Sequence, residues 1–226
     1  MHSLDLSLHR GSPLRVLCLG AHSDDIEIGC GGTILSLLEM YPNCVLYWVV
    51  FSAIGVRAEE AKRAASLFAG NVTVRELRLE TFQDGFMPFE GAKIKGVFEE
   101  LKDVSPDLIF THNRRDAHQD HRLLAELTWN TFRNHMILEY EIPKYDGDLG
   151  QPEVFVPLAL ATCNMKVAYI VETFESQSSK NWFRSETFLA LMRLRGMECN
   201  SSSGYAEAFY GRKLTLRVGL PNPAGE

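Results

Sequence analysis

Two short stretches concentrate the residues able to do acid–base and metal chemistry. The first, GAHSDDIEIGCGGT from Gly20 to Thr33, sets a histidine and two adjacent aspartates ahead of a glycine cluster. The second, DAHQDHR from Asp116 to Arg122, puts His118 and His121 three residues apart with Asp120 between them. In a helix that begins there, both imidazoles project to one side of the first turn. A histidine and an aspartate in one turn are most often a cap. Two such stretches that converge supply imidazoles and a carboxylate, a donor set that suits zinc. His22, Asp25 and His121 are then the ligands, with an open position for water as in catalytic sites.

The neighbouring residues take roles by position. Asp24 points away from Asp25 in an extended loop and can act as general base on the water. His118 can bond a developing oxyanion or protonate a leaving group, with Asp120 orienting its ring. Asp120 equally suits a helix N-terminus, where negative charge is favoured. His112, at a strand end, is a candidate to support the ligands from behind. The competing use of the first stretch, a phosphate cradle, fails because Gly29, Gly31 and Gly32 do not spell G-x-G-x-x-G and two carboxylates would repel a pyrophosphate. The glycines are expected to turn the loop tightly and bring the next helix close beneath the metal.

Both stretches must be delivered by the elements around them. The apolar run RVLCLGA reads as a strand, and GGTILSLLEM as a helix. CVLYWVVFS is a second buried strand, followed by the helix RAEEAKRAASLFAG with Gly70 as its C-cap. A third strand, VTVRELRL, the turn QDG and the helix AKIKGVFEELKDVSP precede a fourth strand, DLIFTH. A helix over HQDHRLLAELTWNTFRN comes next. Strands alternating with helices imply right-handed crossovers and a mostly parallel sheet covered on both faces, an α/β three-layer sandwich. Each candidate stretch opens at a strand's carboxyl end, where such sheets bind ligands, and the two meet if their strands are neighbours.

The last third is less regular. MILEYEI and EVFVPLAL read as strands, and MKVAYIVETFESQ and SETFLALMRLRG as helices, the second ending at Gly196. No repeat or flexible linker divides the chain, so residues 1–226 read as a single domain. A net charge of −6 excludes a surface built for nucleic acid. The strongest apolar run, VLYWVVF, is too short to span a bilayer, and the N-terminal segment has no long apolar core, so the chain is expected to be cytoplasmic. Five scattered cysteines without a C-x-x-C pair read as reduced core residues.

Taken together, AHSDD with GCGGT, and DAHQDH some ninety residues on, resemble the PIG-L/LmbE-like family of zinc-dependent N-deacetylases, whose usual spellings are A-H-P-D-D-E with G-C-G-G-T, and H-P-D-H. The segments GVRAEEAKRAASLFAG, QDG and RGMECNSSSGYAEAF resemble further family segments. The resemblance implies a Rossmann-like α/β fold, one zinc per chain or another divalent metal such as Fe2+, and His22, Asp25 and His121 as its ligands. It also implies Asp24 as the base and His118 with Asp120 as the assisting pair. Ser23, Ile26 and Gln119 depart from the family spelling, and Glu27 beside Ile26 reads as a solvated charge. The D-I-E-I-G variant, EIPKYDGDL and SQSSKNWF resemble a bacterial subgroup associated with glycan or lipopolysaccharide-type biosynthesis.

The implied reaction removes an N-acetyl or other N-acyl group from an amino sugar, a small molecule that can be nucleotide- or lipid-linked. Arg57 either contacts sugar hydroxyls or a phosphate, or pairs with Glu60. Asp84 either holds a sugar hydroxyl or marks a turn with Gly85. Tyr205, Glu207 and Phe209 are candidates to line the pocket, Phe209 fitting the core better. Two other classes compete: a metallo-β-lactamase-like hydrolase or phosphoesterase, with Asp116 in place of that motif's first histidine, and a non-enzymatic Rossmann-like sugar or nucleotide binder. The sequence leaves the oligomeric state open, a homo-oligomer included.

Overall fold

The computed structural model describes residues 13–70, 72 and 74–215; His2, His9 and the N-terminal segment read above lie outside them. A seven-stranded sheet runs in the order β3-β2-β1-β4-β5-β7-β6. The strands are β1 (Arg15–His22), β2 (Val45–Ser52), β3 (Val74–Leu79), β4 (Leu108–His112), β5 (Met136–Tyr140), β6 (Val154–Pro157) and β7 (Ala206–Tyr210). The first five are parallel, while β7 pairs antiparallel with both β5 and β6. This is the α/β, mostly parallel arrangement expected. Parallel pairing from β1 to β4 rules out the antiparallel frame that the metallo-β-lactamase-like alternative requires.

Alternate side chains of β1 feed opposite layers, as the two-residue period of a strand demands. Val16 and Cys18 pack in one core with α1 (Asp25–Met40), α2 (Val56–Ala69), α5 (Leu160–Thr173) and α6 (Ser185–Glu198). Leu17, Leu19 and Ala21 pack in the other with α3 (Gly91–Glu100) and α4 (Gln119–Thr131). All five cysteines are free and buried. Gly70 caps α2 with φ +55°, a conformation that other L-residues rarely adopt.

The departures from expectation have tertiary causes. α1 begins at Asp25, so the glycines read as a turn lie inside the helix. Their use is close approach: a Cβ at Gly29 would stand 2.2 Å from the Tyr140 ring. α5 starts at Leu160, inside the run read as a strand, because its N-cap Ala159 carries no capping side chain to announce it. α6 continues to Glu198, and Gly196 instead admits the Gly204 carbonyl, 2.2 Å from where a Cβ would stand. β7, over AEAFY, was not expected at all. Its neighbours make it a strand: it fills the gap between β5 and β6.

β7 also corrects the pocket expectation. Glu207 and Phe209 are buried behind the sheet end, and Tyr205 packs under the Arg193 guanidinium, so none faces the cleft described below. Glu207 instead meets α1 in mid-helix: its carboxylate accepts the Gly32 and Thr33 amides at 2.8 and 2.6 Å. Lys166 donates to Glu207 and to the Ile28 carbonyl, both at 2.6 Å. Ile28 O and Gly32 N–H are one rung of the helix ladder, so a buried ion pair stands across that rung. The helix that carries Asp24 and Asp25 at its start is thereby fixed from α5 and β7.

Candidate metal centre

The two stretches converge because β1 and β4 are direct neighbours, paired from Val16 with Leu108 to Cys18 with Phe110. The order 3-2-1 then 4-5 places the topological switch between them, the position where open parallel sheets bind ligands. His22 ends β1, Asp25 opens α1, His118 caps α4 and His121 lies in its first turn.

His22 Nδ1 stands 3.2 Å from His121 Nε2, and Asp25 Oδ2 lies 3.3 Å from the former and 3.6 Å from the latter. Three ligand atoms on a tetrahedral ion with zinc-type bond lengths would stand about 3.3 Å apart. The outer ring nitrogens are committed to carboxylates: His121 Nδ1 meets Asp116 Oδ2 at 2.9 Å, and His22 Nε2 meets Asp84 Oδ1 at 2.9 Å and Asp120 Oδ2 at 3.5 Å. With the protons on those outer nitrogens, both inner nitrogens present lone pairs to one point beside a carboxylate. Without a proton or cation between them these groups repel, so the donor set fits a divalent ion. The His22 pKa expresses the same demand. Burial opposes its charge, but Asp25, Asp120 and Asp84 hold it well above the ordinary histidine value. Burial pushes Asp25 up, yet its contacts with His121, His112 and His22 hold it well below the usual carboxylate range.

Two further histidines lie within reach, and their hydrogen bonds argue against ligation. His118 Nδ1 accepts the Asp120 amide at 3.3 Å, which leaves the proton on Nε2. Burial, then His121 and His22, hold its pKa below the ordinary value, so the ring is a neutral donor at pH 7. His112 Nε2 accepts the Ala21 amide at 2.9 Å, and its ring stacks on His121 with centroids 3.9 Å apart. Burial, then His121, bring its pKa down to about 4. It supports His121 from behind as a neutral ring.

The carboxylates are arranged differently from the sequence reading. Asp120 does not orient His118: its carboxylate accepts the Gly85 and Met87 amides at 2.7 and 3.2 Å and faces His22. The 85–87 turn offers two free amides there, and the Asp120 backbone, not its side chain, bonds the His118 ring. Asp84 is exposed but engaged with His22, whose hydrogen bond brings its pKa down to about 2. Arg57 is not paired with Glu60; its Nη2 lies 2.5 Å from Asp24 Oδ1. Glu60 instead accepts from the amide and hydroxyl of Ser176. Glu27 is fully buried, not solvated.

A cleft of about 550 Å3 opens over these groups. His22, Asp24, Asp25, His118 and His121 line it, with Arg57 and Asp84 on its walls. The other two walls come from 142–146 and 177–182, and include Lys144, Tyr145, Lys180 and Trp182. These residues were not singled out individually in the sequence. The signal was present in EIPKYDGDL and SQSSKNWF, the two segments that supply those walls. Asp116, the partner of His121, was read only as a mismatch to another motif.

Among solved structures, the chain resembles the N,N'-diacetylchitobiose deacetylase from Pyrococcus horikoshii at 20% identity and TM-score 0.70, covering 86% of this chain and 82% of that one. It resembles GalB, the 4-carboxy-2-hydroxymuconate hydratase from Pseudomonas putida KT2440, at 16% identity and TM-score 0.71, covering 92% and 100%. The zinc-inhibited form of teicoplanin deacetylase Orf2 matches at 14% identity and TM-score 0.66, covering 87% and 97%. At these identities the likeness is one of fold, and the fold carries more than one reaction. Residues 17–132, just over half of the chain and including every candidate ligand, match the PIG-L family, described as GlcNAc-PI de-N-acetylase. The chain belongs to that family.

Proposed function

We propose that this protein is a divalent-metal-dependent amidohydrolase, zinc being the metal that its donors suit best, which removes an N-acetyl or other N-acyl group from an amino sugar or its conjugate. The observation that carries the reading is the convergence of His22 Nδ1, Asp25 Oδ2 and His121 Nε2 within 3.6 Å, each imidazole backed by a carboxylate. When bound there, the ion supplies Lewis acidity: it polarises the acyl carbonyl and acidifies water.

The chain's own residues do the rest. Arg57 holds one oxygen of the Asp24 carboxylate, which leaves the other to take the proton of the attacking water. The water oxygen bonds to the acyl carbon, and the His118 Nε2–H donates to the carbonyl oxygen as it gains charge. Breaking of the C–N bond releases the amine, which takes the proton from Asp24. The products are the carboxylic acid, acetate for an N-acetyl substrate, and the free amino sugar. The cleft walls exclude bulk water and seat the sugar.

A panel of N-acetylated sugars, free, nucleotide-linked and lipid-linked, assayed for acetate with and without chelator, tests the reading. One equivalent of metal in protein purified without added metal, and chelator-sensitive acetate release, are expected. Metal-free protein that still binds a sugar would favour the non-enzymatic binder, and metal without acetate release would point to another hydrolysis or hydration on this fold.

A further inference from the structure

Lys144 lines the cleft but has no part in the chemistry above. Its Nζ lies 3.0 Å from Asp116 Oδ2, the same oxygen that His121 Nδ1 approaches at 2.9 Å. It also meets Asp148 Oδ2 at 2.6 Å, and that oxygen accepts the Ala117 amide at 2.6 Å. The lysine side chain is only 10% exposed, so these contacts are weakly screened by solvent.

The arrangement has a mechanical side. Lys144, Tyr145 and Asp146 form one wall of the cleft. Lys144 and Asp148 fasten that wall to residues 116–117, immediately before the α4 cap that carries His118. The base of the segment is fixed separately: Arg195 bonds Glu141 at 2.9 and 2.7 Å and the Gly150 carbonyl at 3.0 Å. Release of Lys144 therefore loosens the wall, which keeps the bond from the Ala117 amide to Asp148, without unfolding its base.

It also has an electrostatic side. An ammonium on Asp116 competes with the His121 N–H for one oxygen and makes His121 a weaker donor toward a cation. Its charge also repels that cation directly. A lysine that only stabilised the centre would act the other way.

We propose that Lys144 is a positioning residue that joins the cleft wall to the metal centre, holding residues 143–149 in place for substrate while lowering the affinity of His22, Asp25 and His121 for their cation. The inference rests on the metal-centre reading of those three residues.

Zn2+ dissociation constants by chelator competition, KM for the best acetate-releasing substrate, and melting temperature test it in three variants. Lys144→Met is expected to bind Zn2+ severalfold more tightly while its KM rises severalfold. A general loss of structure would weaken both. Lys144→Arg keeps the charge and the wild-type Zn2+ affinity. Asp148→Asn loosens the wall but leaves the Lys144 ammonium on Asp116, so KM rises while Zn2+ binding becomes no tighter; an unchanged KM there overturns the mechanical half even should Lys144→Met not fold. Wild-type protein that binds Zn2+ while Lys144→Met binds it no more tightly overturns this inference alone. Wild-type protein that binds none overturns the metal-centre reading as well.

Discussion

Arg57 Nη2 sits 2.5 Å from Asp24 Oδ1, a bond between the start of α2 and the turn ahead of α1. Both side chains line the cleft, and Asp24 is 4% exposed. A buried carboxylate so placed is held in one orientation by its charged, hydrogen-bonded partner.

Asp24→Asn should retain metal and lose turnover by about 10²–10⁴-fold, the usual contribution of a general base. Arg57→Met should lower kcat by a smaller factor, also with metal retained. The two losses should not add: if Arg57 acts through Asp24, its removal from the Asp24→Asn protein changes little further. Additive losses in this double-mutant cycle would assign Arg57 to substrate instead.

Gly29 makes a separate test of what the α1 glycines do. Its missing Cβ would fall 2.2 Å from the Tyr140 ring, and Tyr140 cannot swing away freely because its hydroxyl bonds the Leu19 carbonyl at 2.6 Å. Gly29→Ala should therefore destabilise by roughly 1–3 kcal/mol through overpacking, despite alanine's better helix propensity. An increase in melting temperature would show that propensity outweighs the contact.

That competition explains what could and could not be read in the sequence. His22, Asp25, His118 and His121 were legible because each lies in a short stretch whose local spacing and position after an apolar run carry the information. The buried faces of α2 and α3 were legible for the same reason, since Ala61, Ala64, Ala65 and Phe68, or Ile94, Val97 and Phe98, repeat at helical intervals. The adjacency of β1 and β4 was only a condition of the argument, because pairing order is not a local property. Gly29 was misplaced into a turn since glycine disfavours helices, whereas its value here comes from Tyr140, over a hundred residues away. β7 and the pairing of Arg57 with Asp24 had no local signature either.

The Lys166–Glu207 pair should behave as a buried ion pair that is costly to break singly. Both side chains are 3% exposed. Lys166→Met leaves the Glu207 charge with two backbone amides and no cation, and should cost about 3–5 kcal/mol. Adding Glu207→Gln removes the stranded charge and should restore part of that loss. Urea unfolding midpoints of the single and double variants check this; a double variant less stable than Lys166→Met would mean the carboxylate is satisfied by the amides alone.

Glu27 gives a pH signature. It is fully buried in α1, and neither carboxyl oxygen finds a hydrogen-bond partner of normal geometry among the described residues. Burial pushes its carboxyl well above the usual glutamate value, opposed by its own backbone amide, reinforced by Asp24 and Asp25 and opposed by Arg57. In the unfolded chain the same group titrates near 4.3, so below that pH both states hold the proton and Glu27 adds no pH dependence. As pH rises from there to the folded value, only the unfolded state releases its proton, and the native state loses about 1.4 kcal/mol per pH unit. Glu27→Gln has no such proton to lose. Its melting temperature should therefore gain on the wild type as pH rises from 5 toward the folded value, compared in chelator so that Asp24 and Asp25 stay alike in both proteins. A difference that is flat across this range, or that favours the wild type as pH rises, would show that Glu27 is ionised and paired in the folded protein.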